Sequence, residues 1–187
     1  MTLTINELFW IAVAKGNMSE ITSFVEQGAD INFIEPLSGK NALYVACVHD
    51  NIPVIKFLIK EGINVNKRLN IKYFSPPRHE NNVTALMFAK SAKAVEMLLM
   101  AGASLDAQDS DGWTPLMRVT YNGKVDAVKT LLENGANYKQ KNSKKEIALD
   151  IARQRLRFYA CNPNNEYEEY WSRRKSDLMT ICKLLDR

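Results

Sequence analysis

One signal recurs four times along the chain and limits what it can fold into: Gly-Ala-Asp-Ile-Asn from Gly28, Gly-Ile-Asn-Val-Asn from Gly62, Gly-Ala-Ser-Leu-Asp from Gly102 and Gly-Ala-Asn-Tyr-Lys from Gly135. The glycines are 34, 40 and 33 residues apart, and each closes an apolar stretch with helical spacing. A period of roughly 33 residues built this way means stacked helical hairpins, because one hairpin cannot bury its hydrophobic face alone.

The most regular unit runs from Asp111-Gly112-Trp113-Thr114-Pro115-Leu116-Met117 to Leu131-Leu132-Glu133-Asn134-Gly135-Ala136. Thr114 reads as a helix N-cap and Pro115 suits the first helical position, where a missing N–H costs nothing. Val125, Val128, Leu131 and Leu132 recur as the buried stripe of a second helix, which Gly135 ends by entering the left-handed conformation without a Cβ penalty. In these residues the chain resembles the ankyrin repeat, a β-turn followed by two antiparallel helices and often marked by a Thr-Pro-Leu-His type signature. Counting back 21 residues from Gly135, Gly62 and Gly28 reaches Thr114, Asn41 and Glu7, each followed two residues later by a core residue, Leu116, Leu43 and Phe9. One copy has Pro at the second position and none has His at the fourth, where Met117, Tyr44 and Trp10 stand. A degenerate fifth copy opens at Ile147 and closes with Leu184-Leu185.

The resemblance implies an all-α, ankyrin-type solenoid of stacked helix-turn-helix repeats joined by β-turn or hairpin loops. It forms a single domain over 1–187, with repeats at about 5–33, 36–67, 82–108, 109–141 and 142–187.

Two insertions and one deletion interrupt the period. Gly62 to Thr84 spans 22 residues where the later turns use 12, which places an inserted loop at 68–82. It contains Tyr73, Phe74, Pro76, Pro77, Arg78 and His79. Pro-Pro favours an extended path, and the two rings before it either fold back on the solenoid, the default, or join Arg78 in meeting a partner. In the fifth copy Leu185 lies 38 residues after Ile147, against 18 between Thr114 and Leu132. An extended helical pair over 153–187 accommodates the difference, turning at Asn162-Pro163-Asn164-Asn165, with Tyr159, Tyr167, Tyr170 and Trp171 between the helices and Glu169 paired with Arg173. The third repeat is short, 18 residues from Thr84 to Gly102 where 21 are expected, and the shortfall falls around Lys90 to Ala94, between its helices.

Composition bounds function. Hydrophobic content of 46% in 187 residues suffices for about five stacked repeats. No run approaches the roughly 18 apolar residues of a membrane span, and Leu8 to Ala14 reads as an inner helix, not a signal peptide. Cys47, Cys161 and Cys182 show no paired spacing, which suggests a reducing, cytoplasmic setting without disulfides; secretion by a signal-independent route stays open. Residues 1–138 carry 13 basic and 14 acidic side chains, residues 139–187 carry 12 and 7. The basic excess, densest at Lys139, Lys141, Lys144, Lys145, Arg153, Arg155 and Arg157, suits a solvated terminal repeat better than a nucleic-acid surface, whose stacking aromatics are not interleaved with it.

No nucleophile–base pair, phosphate loop or metal cluster is present, and Asp106, Asp109 and Asp111 lack the glycine and glutamate of a calcium loop. The expectation is a monomeric, non-enzymatic protein-binding module with no catalytic residue, metal or cofactor. The resemblance implies that turn tips and inner helices form a concave recognition face, placing Trp113, Tyr121, Asp111, Arg118, Asn122, Lys40 and His49 on it, with Tyr73, Phe74 and Arg78 added from the inserted loop. Trp113 and Tyr121 are its expected centre, since such rings are enriched at interface hot spots. An inhibitor or immunity factor for a cognate protein is one setting, an adaptor or secreted effector recruiting a host protein another. Nucleic-acid binding through the basic C-terminal repeat is the alternative of a different class.

Overall fold

In the computed structural model the described residues are 2–74, 77–160 and 168–186; the side chains at 74, 77, 78, 160 and 168–171 lie outside the description. Helices pair as α1 (Ile5–Lys15) with α2 (Met18–Glu26), α3 (Ala42–His49) with α4 (Ile52–Lys60), α6 (Pro115–Tyr121) with α7 (Val125–Glu133), and α8 (Ala148–Ala160) with α9 (Glu168–Leu185). The third repeat supplies a 3-10 turn, Ala85–Phe88, and α5 (Ala92–Met100). One row of contacts runs α1, α3, the 3-10 turn, α6, α8, and a second runs α4, α5, α7, α9. This is the helical solenoid that the period predicts.

The second helices of the middle three repeats bury the same register. Val54, Ile55 and Leu58 on α4, Ala94, Val95 and Leu98 on α5, and Ala127, Val128 and Leu131 on α7 are all fully buried. The residue before each recurring glycine ends the helix, and the glycines stand at φ 94, 82, 84 and 86 for Gly28, Gly62, Gly102 and Gly135. A Cβ there would meet nothing within 4 Å, so the dihedral, not crowding, demands glycine. The next N–H reaches back to close the last turn, as in Ala103 to the Leu98 carbonyl at 2.9 Å and Ala136 to Leu131 at 3.0 Å.

The rest of the motif joins neighbouring repeats. Asn32 Oδ1 accepts from the Asn64 N–H at 2.9 Å, Asn66 Oδ1 from Ser104 at 2.8 Å and Asp106 Oδ1 from Asn137 at 3.0 Å. In each case the residue four after one glycine holds the N–H two after the next. Lys139 occupies that place in the last copy and carries no acceptor, so the series stops there.

Three expectations need correction. Glu7 is not a helix-capping residue of the Thr114 kind: α1 starts a turn earlier, with Thr4 as N-cap and Glu7 completing a capping box. The shortfall in the third repeat comes out of its first helix, reduced to four residues against eight in α3 and seven in α6; α5 keeps its full nine. Where the sequence predicts a loop at 68–82, the described residues on either side of 75–76 pair as an antiparallel β-hairpin, β1 (Leu69–Phe74) with β2 (Pro77–Val83). Leu69, Ile71 and Val83 are buried beneath it, so alternating apolar residues pin it to the stack. Its backbone continues the row of turn tips: the Lys72 N–H donates to Ser38 O at 2.9 Å, Ser110 to Asn81 O at 3.0 Å and Ser143 to Asp111 O at 3.0 Å. The aromatic group expected between the last two helices, Tyr167, Tyr170 and Trp171, and the Glu169–Arg173 pair lie outside the described side chains, as does Cys161.

Candidate functional site

Asp109 organises the turn of the fourth repeat. Its Oδ1 accepts from the N–H groups of Asp111 and Trp113, both at 2.9 Å, and its Oδ2 takes Nε and Nη2 of Arg118 from the first turns of α6. Arg118 Nη1 donates to Glu80 Oε1 on β2 at 3.0 Å. The Tyr73 hydroxyl on β1 donates to Glu80 Oε2 at 2.9 Å and meets the Tyr44 hydroxyl of α3 at 2.9 Å. One polar network thus runs from α3 through the hairpin to α6. The ion pairs are largely buried, with side-chain exposure of 16% for Arg118, 11% for Glu80 and 1% for Asp109, and a charge-assisted fork of this kind fixes geometry as well as neutralising charge.

A second system grows from Arg118. Its guanidinium lies over the Trp113 ring at 5.1 Å; Trp113 meets Tyr121 edge to face at 5.7 Å and 82°. Arg155 of α8 covers Tyr121 at 4.4 Å and also approaches Tyr159 at 4.9 Å and Phe158 at 5.7 Å. Cation, ring, ring and cation alternate across the fourth and fifth repeats, each contact favourable. Trp113 is therefore half-buried, while Tyr121 keeps 43% of its surface exposed.

Both systems border one groove of about 780 Å³, whose floor and walls include Tyr44, Val48, Phe88, Trp113, Tyr121 and Arg118. It opens where the 3-10 turn replaces a helix, so that Phe88, Ala89 and Lys90 border it in place of a last helical turn. Its size is that of a pocket able to take several side chains.

Of the expected residues, Trp113, Tyr121, Asp111, Arg118, Asn122 and Tyr73 line this groove. Tyr73 is turned onto the stack, with Lys40 Nζ over its ring at 5.7 Å. His49 is exposed at the end of α3 and does not border the groove. The side chains of Phe74 and Arg78 lie outside the description. Sequence reasoning missed Tyr44, Glu80, Phe88 and Lys90 as members. Glu80 joins Arg118 across 38 residues through the hairpin register, and no local pattern carries that pairing. Asp109 serves its own turn, the role the sequence favoured over calcium, while Asp106 joins the turns of two repeats. Cys47 is fully buried, which pushes its thiol well above the usual range and makes it unreactive. Among the described residues no helix is long and apolar enough to cross a membrane.

Comparison with known proteins follows the same lines. The family described as ankyrin repeats (3 copies) matches residues 6–69 and 70–142. The chain is similar to an ankyrin repeat protein of fowlpox virus, 27% identical over 157 residues, covering 79% of this chain and 43% of that one. A palmitoyltransferase of Lachancea kluyveri is 30% identical over 80% of the chain and 20% of its own length. A protein of Saccharomyces cerevisiae named as a probable 26S proteasome regulatory subunit is 32% identical over 77% of the chain and 61% of its own length. In each case the chain spans less than two thirds of its relative.

Proposed function

This chain belongs to the ankyrin repeat family and is a protein–protein interaction module, and on that premise we propose that it binds its partner in the groove bordered by Trp113, Tyr121 and Phe88. The observation that carries this reading is the alternating Arg118–Trp113–Tyr121–Arg155 series. It holds two large rings in place before binding, so little ordering entropy is lost when a partner covers the exposed face of Tyr121. The family is generally non-enzymatic, and the chemistry of this groove is recognition. Within it Arg118 is committed to Asp109 and Glu80, and Tyr73 to Glu80.

Within that reading the chain acts as an inhibitor or regulator that occupies a cognate protein. A relative named as a regulatory subunit supports this over an adaptor or effector that recruits a host protein, the second setting. The test is capture from the source cell with wild type and with Tyr121→Ala, followed by identification of the retained protein and measurement of its Kd and activity. Tyr121→Ala loses about 2 kcal/mol of binding as a hot-spot anchor, while its lost contacts with Trp113 and Arg155 lower stability by only about 1 kcal/mol. Trp113→Ala loses at least as much but also disturbs Arg118. Unaltered capture by Tyr121→Ala removes the groove from consideration, and a captured protein whose activity is unaffected removes the inhibitor reading in favour of the adaptor.

A further inference from the structure

The charges around the groove are unevenly shared. Its described lining includes Lys90, Arg118, Lys124, Lys144 and Arg174 beside the carboxylates Glu80 and Asp111; Arg118 is offset by Asp109 and Glu80, and Arg174 already donates to the Asn122 carbonyl, so the exposed Lys90 and Lys144 set the character of the rim. Glu80 is already engaged by Arg118 and Tyr73, which leaves Asp111, among the described lining residues, as the carboxylate outside the buried network. Lys90 and Lys144 are exposed and come from different repeats, one after the 3-10 turn and the other at the tip of the fifth turn, on either side of the rings of the fourth. Exposed lysines so placed steer and select more than they hold. Between them the floor is aromatic and aliphatic, from Val48, Phe88, Trp113 and Tyr121.

Resting on the groove as the recognition surface, we infer that it takes an acidic segment of the partner protein. An apolar side chain of that segment lies on the Trp113–Tyr121 floor, and its flanking carboxylates face Lys90 and Lys144. A neutral or basic segment gains the same apolar contact but none of the charge complementarity, and a basic one is repelled.

The probes are labelled seven-residue peptides: Asp and Glu alternating around a central Phe, the Asn/Gln counterpart, and the Lys counterpart, with a single-stranded oligonucleotide as a separate arm. Fluorescence anisotropy with the full chain gives affinity, and amide NMR shifts give the site. The acidic peptide binds about tenfold or more tightly than the neutral one, shifts Trp113 and Tyr121, and weakens as salt is raised. The double variant Lys90→Glu, Lys144→Glu abolishes the preference, and Lys56→Glu on exposed α4 leaves it intact. Equal affinity for the acidic and neutral peptides, no binding by any peptide, or indifference to the double variant overturns the inference. Tighter binding of the oligonucleotide overturns it in favour of a nucleic acid. A neutral peptide that still shifts Trp113 and Tyr121 leaves the groove reading standing, as does partner capture that depends on Tyr121.

Discussion

The third and fourth repeats open on the same residue and use it differently. Thr114 Oγ1 accepts the Met117 N–H at 3.3 Å and α6 runs on for seven residues. Thr84, equally buried, makes no capping bond; its hydroxyl has no partner, and the helix after it stops at four residues. The fourth repeat is stabilised from within by cap, proline and glycine. The third depends on what leans against it, α3 on one side and α6 on the other, and these two are tied together through the hairpin and Arg118. A solenoid tolerates such a unit because its neighbours bury what it cannot.

The sharpest way to break this contrast is to remove the clasp. Arg118→Met removes the cation shared by the buried Asp109 and Glu80 carboxylates and is expected to cost about 3–5 kcal/mol in urea unfolding. Arg153→Met, which removes an exposed pair with Asp186, changes stability by about 0–1 kcal/mol. Equal effects would mean that the hairpin is not fastened through Arg118.

Glycine substitutions come next. At Gly135 an added Cβ has open space, so Gly135→Ala costs only the left-handed conformation, about 1–2 kcal/mol. At Gly39 the same Cβ would lie 1.9 Å from the Asn70 carbonyl oxygen of the hairpin. Gly39→Ala therefore costs more than Gly135→Ala and shifts the amide resonances of β1, which a purely local effect would leave in place.

The paired threonines give a smaller and opposite pair of effects. Thr114→Val loses a cap worth about 1 kcal/mol. Thr84→Val removes a buried hydroxyl that bonds nothing, and is neutral or stabilising by about 1 kcal/mol. Thermal unfolding of the two variants, side by side, decides whether the third repeat is held by its own cap.

The smallest effect is a pH dependence shared by turns at both ends of the stack. Burial works against the Glu35 carboxylate, but hydrogen bonds from Ser38 and the Leu37 and Ser38 N–H groups hold it below its ordinary value of 4.5. Hydrogen bonds from Asn142 and Gln154 do the same for Glu146. A carboxylate that titrates lower folded than unfolded contributes above its unfolded pKa, and that contribution is lost as pH falls through the folded value. Stability therefore declines below about pH 4.5, and Glu35→Gln with Glu146→Gln flattens the decline in urea titrations run at successive pH values.

What the sequence by itself determined is everything that repeats. The glycine spacing, the buried stripe of each outer helix and the caps Asn41 and Thr114 depend on residues a few positions apart, so helical periodicity and backbone dihedrals make them readable without a partner. The adjacency of Trp113 and Tyr121 was legible for the same reason, since they are eight residues apart on one turn and the helix after it. Tertiary structure alone decided where the missing residues of the third repeat were taken from, and that 68–82 pairs as a hairpin and not a loop. It also decided that Glu80 and Tyr73 join Tyr44 to Arg118. These outcomes turn on the register of one hairpin, on hydroxyls that meet across 29 residues and on charges that meet across 38, and a buried arginine selects its carboxylates only once the chain has brought them within hydrogen-bonding distance and excluded water from around them.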